Sequence, residues 1–176
     1  MRASALVFGC VATALGWVFV AGETLSDPGG WTGAGLVMLW TVPLAGLAAL
    51  AWYRVPDGAI VLGALAGVVI AAALWFAADP HGWLSFEDAH GPVRAIGSFV
   101  LLLPLALLAW RRPLLGGSLL LAVGLVPIVA ATWSGSRGLS STTAAGLPAA
   151  IDGALFLLSA TPFSRRHPAR APAARA

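Results

Sequence analysis

The sequence predicts an all-α fold, a polytopic membrane bundle of about six transmembrane helices, and three observations predict it. Six apolar stretches of about 16–23 residues run through the 176-residue chain. About 20 apolar residues, rising roughly 1.5 Å each as a helix, cross a hydrocarbon core of about 30 Å. Charged residues make up 10% of the chain, against roughly 25% in soluble domains, and nearly all of them sit in short islands between the stretches. Seven aromatics, Trp31, Trp52, Tyr53, Trp75, Trp83, Trp110 and Trp133, fall at or just beyond a stretch end, the headgroup level that suits a ring with one dry and one wet side. Trp17 lies about a turn inside its end and Trp40 is mid-stretch.

The stretches cover residues 3–22, 31–53, 58–78, 95–110, 114–133 and about 146–163. In the first, Arg2 precedes an apolar run from Ala5 to Ala21, the form a signal peptide takes. The run is long and no A-x-A site follows it, so a retained first helix is expected. Val7-Phe8-Gly9-Cys10 stands too close to the start to act as a lipoprotein box. The second stretch ends at Arg54-Val55-Pro56-Asp57 and the fourth at Arg111-Arg112-Pro113. Turns this short join antiparallel neighbours, so the chain reads as three tandem hairpins. In the third, Gly63 and Gly67 form a GxxxG pair that permits close backbone approach, read as packing within the chain. Pro43, Pro104 and Pro127 fall inside stretches, where neighbouring helices can satisfy the freed carbonyls. The sixth stretch is the weakest, with Pro148 near its start and the run Ser134, Ser136, Ser140, Ser141, Thr142 and Thr143 ahead of it.

An offset of 58 residues relates Trp17, Trp75 and Trp133, and likewise Trp52 to Trp110, Arg54 to Arg112 and Gly58 to Gly116. Related hairpin units would produce this spacing. Evenly spaced hairpins without common ancestry would too.

Orientation follows from the arginines, which supply all ten basic residues. With the N-terminus inside, the cytoplasmic islands hold Arg2, Arg54, Arg111, Arg112, Arg165, Arg166, Arg170 and Arg175, and the outer ones only Arg94 and Arg137. Positive flanks stay in the cytoplasm, so both termini are expected inside. Residues 1–163 then form one transmembrane domain, and 164–176 a disordered basic cytoplasmic tail whose arginines are drawn to anionic lipid headgroups. The absence of Lys, Asn and Gln, with abundant Ala, Gly and Leu, suggests a G+C-rich bacterial source and hence the inner membrane.

The net charge of +3 does not point to nucleic acid, because the arginines flank apolar stretches instead of forming a patch on a soluble domain. Cys10 is the only cysteine, which excludes an intramolecular disulfide and a cysteine metal cluster. The absence of Lys excludes Schiff-base chemistry. No phosphate-cradling loop or nucleotide fingerprint occurs, so no cofactor is expected. The hydroxyl-rich fifth loop lacks a GxSG motif and no His lies in any stretch, which excludes a rhomboid-type protease.

Two constellations remain. The third loop carries His81, Glu87, Asp88 and His90, residue types that ligate divalent metals, although their spacing matches no defined signature. Trp83, Leu84 and Phe86 among them suit a segment lying on the bilayer surface. Asp152 is the only charge the islands do not absorb. A carboxylate at mid-bilayer costs about 2.5–3.5 kcal/mol, and such residues usually pair or mark a pathway. A sixth helix over 146–163 sets Asp152 roughly 9 Å inside its outer end, level with Arg94 as a partner. Alternatively Asp152 caps a helix beginning at Gly153. The leading expectation is a non-enzymatic structural or accessory protein with an unidentified membrane partner. The second is a small-solute or proton-coupled carrier using Asp152, and the third an outer-face metal or catalytic site on residues 79–91.

Overall fold

The computed structural model describes residues 1–26, 30–79, 81, 93–133 and 139–161, with side chains for 1–18, 41–79, 81, 99–133, 143 and 146–161. These residues form six α-helices and, among the described residues, no strand: α1 Arg2–Ser26, α2 Gly30–Tyr53, α3 Val55–Ala78, α4 Val93–Arg111, α5 Pro113–Trp133 and α6 Leu139–Ala160. Each apolar stretch becomes one helix. The largest departure is at α6, which begins seven residues before the apolar stretch, inside the run of Ser and Thr. Hydroxyls in a helix can bond back to the carbonyl a turn earlier, so such a run does not oblige the chain to leave the helix. Pro148 consequently lies in the helix interior, as do Pro43, Pro104 and Pro127. By length and composition, α3 and α5 can cross a membrane.

The hairpins do not stand in a row. They wrap around α4, which packs against every other helix and buries Leu101, Leu102, Leu105, Ala106, Leu108 and Ala109. Bulky apolar side chains also cover the outside, among them Val7, Leu15, Val18, Ile60, Val68, Leu114, Val129 and Trp133. Among the described residues, α1, α3 and α5 therefore carry apolar side chains on their outer as well as their inner faces, which a helix facing water on one side does not.

The two tight turns repeat each other contact for contact at the 58-residue offset. Arg54 N–H donates to the Leu50 carbonyl at 2.9 Å, and Gly58 N–H to the Arg54 carbonyl at 2.8 Å. In the second turn Arg112 N–H donates to Leu108 at 2.7 Å, and Gly116 N–H to Arg112 at 2.9 Å. A Cβ at Gly58 would meet the Ala51 Cα at 3.1 Å, and one at Gly116 would run into the backbone of Ala109. Across the two turns, Arg111 of α4 stacks its guanidinium over the Trp52 ring of α2, 4.6 Å from the centroid.

The tightest helix pair is α5 with α6, joined through glycines seven residues apart on each. A Cβ at Gly124 would collide with the Ala150 amide and lie 2.5 Å from the Gly146 carbonyl, and one at Gly146 would lie 2.6 Å from the Gly124 carbonyl. One turn-pair along, a Cβ at Gly153 would lie 2.5 Å from the Leu121 amide and 2.7 Å from the Gly117 carbonyl. Antiparallel helices pair residues whose numbers have a constant sum, and 117 with 153 and 124 with 146 share one.

Gly63 and Gly67 do not take part. A Cβ at either meets nothing within 4 Å, which corrects the reading of this pair as packing within the chain. GxxxG permits close approach but does not direct it, and here the pair lies on the face of α3 turned away from the bundle. Gly63→Ala and Gly67→Ala should each raise stability by about 0.5–1 kcal/mol through helix propensity alone, read as a higher unfolding midpoint of the purified protein.

Candidate functional site

Asp152 sits in the interior of α6, thirteen residues after Leu139 and eight before Ala160. At about 1.5 Å per residue that is roughly 20 Å from one end and 12 Å from the other. It is therefore not a cap, and it lies past the middle of the helix instead of near its first end. Its depth moved because the helix begins in the Ser and Thr run.

The side chain is wholly enclosed, at 0% exposure. Neither carboxyl oxygen has a hydrogen-bond partner among the described residues. This is unusual, since buried polar groups are nearly always bonded, and leaving one unpaired costs about 1–3 kcal/mol.

Three helices build the enclosure. Gly153, the next residue along α6, brings that helix's backbone onto α5, as described above. Gly9 of α1 lies against the carboxyl: a Cβ there would stand 2.6 Å from Asp152 Oδ2, 3.4 Å from its Cγ and 3.1 Å from the Ala106 Cβ of α4. Seven residues along α1, a Cβ at Gly16 would stand 2.6 Å from Cε1 of Phe99. The sums 9 with 106 and 16 with 99 again agree, so α1 runs antiparallel to α4 on a small-residue face. Ala5, Gly9, Thr13 and Gly16 are the buried positions of α1 up to residue 18. The Thr13 hydroxyl is not turned to Asp152; it donates to the Gly9 carbonyl at 2.8 Å. Trp17, one turn beyond, has a buried Nε1 without a partner among the described residues.

Arg94, the expected partner, is the second residue of α4, twelve residues or about 18 Å of helix from Ala106, which lies beside Gly9. Its side chain is outside the described ones.

Of the loop residues proposed for a metal, His81 is exposed, while Glu87, Asp88 and His90 lie outside the described residues. Asp79 ends α3, its N–H donating to the Trp75 carbonyl at 2.8 Å. No three His, Cys, Asp or Glu side chains gather among the described residues. The sequence reading singled out Asp152 and missed Gly9. Nothing in the local sequence distinguishes Gly9 from the other glycines, since its role appears only once α1, α4 and α6 converge.

The lining sets what the site can do. An enclosed carboxyl with no hydrogen-bond partner among the described residues, lying against Gly9, is relieved by a proton or a cation and by little else. No protein-family model, curated protein or solved structure matches this chain.

Proposed function

We propose that this chain is a six-span integral membrane protein, both termini cytoplasmic, that works as a small-solute carrier coupled through Asp152. The observation that carries the reading is the enclosed carboxyl in a helix interior, without a hydrogen-bond partner among the described residues. Ionisable residues in such positions are expensive and mark ion or proton pathways. Support for the membrane comes from the length and apolarity of α3 and α5, the bulky apolar exterior and the eight-to-two distribution of arginines. A soluble protein with that exterior would associate through it. In this orientation Arg165, Arg166, Arg170 and Arg175 meet anionic headgroups on the cytoplasmic face.

The accessory role expected from the sequence rests on the lack of a signature. Asp152 gives the carrier reading a residue to act through. The metal reading of the third loop falls on Glu87, Asp88 and His90, which lie outside the described residues, and on His81, which is exposed.

The test uses the full chain in phospholipid vesicles containing a pH-sensitive dye, challenged in turn with amino acids, sugars and organic cations. One class should drive proton movement, and Asp152→Asn should reduce it at least about tenfold, a loss of roughly 1.4 kcal/mol or more in the coupled step. Solute-driven proton movement that persists unchanged in Asp152→Asn removes the reading.

A further inference from the structure

We infer that the Asp152 site binds a proton and excludes metal cations and solutes, and that Gly9 is the residue that sets this limit. The inference rests on the reading of Asp152 as the working carboxyl and names the species it couples.

The argument is one of space and of ligands. A single carbon added at Gly9 would stand 2.6 Å from Oδ2 while standing 3.1 Å from the Ala106 methyl. The gap between α1, α4 and the carboxyl therefore does not admit even one carbon atom without movement. A water molecule needs a probe of about 1.4 Å radius and two to four polar partners. Hard divalent cations gather about six or more oxygens at roughly 2.0–2.6 Å. Gly9 lies against the carboxyl, neither oxygen has a hydrogen-bond partner among the described residues, and the hydroxyl closest along α1, that of Thr13, is already committed to the Gly9 carbonyl. A proton needs neither room nor a ligand shell, and it neutralises the group that burial penalises.

Among the described residues, the Cys10 thiol of α1 is the group that interacts electrostatically with Asp152. On α1, Cys10 is next to Gly9 but exposed, and Arg2 is at the helix start. On α4, Arg111 is at the far end beside Trp52, and the side chains of Arg94 and of Glu23 on α1 lie outside those described. Helix α5 has no ionisable residue.

Gly9 has an internal control. Gly16 lies on the same face of α1 and is crowded to the same degree, its Cβ falling 2.6 Å from Phe99. Gly9→Ala and Gly16→Ala therefore both press α1 away from α4, but only the first presses on the carboxyl.

The test is infrared titration of the purified full chain in detergent, reading the C=O stretch of a protonated carboxyl as pH is varied. Wild type should show a titrating band that Asp152→Asn removes. Its midpoint should be the same in potassium, sodium, lithium and magnesium chloride at equal ionic strength. Gly9→Ala should move the midpoint by about one pH unit, and Gly16→Ala should leave it in place. A midpoint that shifts with the cation overturns proton exclusivity while leaving Asp152 as the working group. An equal shift in Gly9→Ala and Gly16→Ala overturns the role of Gly9, because helix packing would then explain both. Absence of any band dependent on Asp152 overturns the inference outright. The reverse case, an intact band with solute-driven flux that ignores Asp152→Asn, overturns the carrier reading alone.

Discussion

Gly124→Ala is expected to cost about 3 kcal/mol, at the upper end of what overpacking costs. The added methyl would collide with the Ala150 amide and lie 2.5 Å from the Gly146 carbonyl. Both are backbone atoms, so no side chain can rotate out of the way and the helices must separate. Separation is costly because Gly146, Gly153 and Gly117 rely on the same approach. The check is thermal unfolding of purified protein, where a loss of this size lowers the midpoint by roughly 6–12 °C on the scale of domains this large. Gly67→Ala, the same chemical change facing open space, should move in the opposite direction. Equal behaviour of the two variants would mean that α5 and α6 do not meet through Gly124.

Asp152→Ala is expected to stabilise the protein by about 1–2 kcal/mol. It removes two buried oxygens without partners among the described residues, each group of this kind costing about 1–3 kcal/mol, and leaves a small void that takes back part of the gain. The sign separates two roles. A structural carboxyl held in a buried pair would cost about 3–5 kcal/mol when removed. A carboxyl retained for function against its own energetics gives a more stable and inactive variant. Unfolding of Asp152→Ala beside wild type, with the vesicle assay run on both, reads the two properties together. A destabilised Asp152→Ala would assign the residue to the scaffold.

Much of the fold was legible because it follows from hydrophobic length. The starts of α2 through α5 fall within three residues of their apolar stretches, and their ends within one. The boundary of α6 was not legible, because hydroxyl residues read equally as loop or as helix. That one boundary displaced Asp152 by more than a turn relative to the start of its helix. Charge isolation alone was enough to mark Asp152. The glycines show the limit of local reading. Gly63 and Gly67 matched a known spacing and face outward, whereas Gly117, Gly124, Gly146 and Gly153 carry the closest approach with a spacing of seven. A signal was present in the equal sums 117 with 153 and 124 with 146, but it becomes meaningful only when α5 and α6 are taken as antiparallel neighbours.

The Asp152 enclosure draws on α1 and α6, the first and last of the six described helices, which meet beside α4. During synthesis Gly9 emerges more than 140 residues before the carboxyl it will cover, and α4 must already stand between them. A chain halted anywhere before α6 has the cover without the acid, and one lacking α1 has the acid without the cover. The enclosed carboxyl therefore exists only once α1, α4 and α6 have come together, so its formation reports the meeting of those three helices.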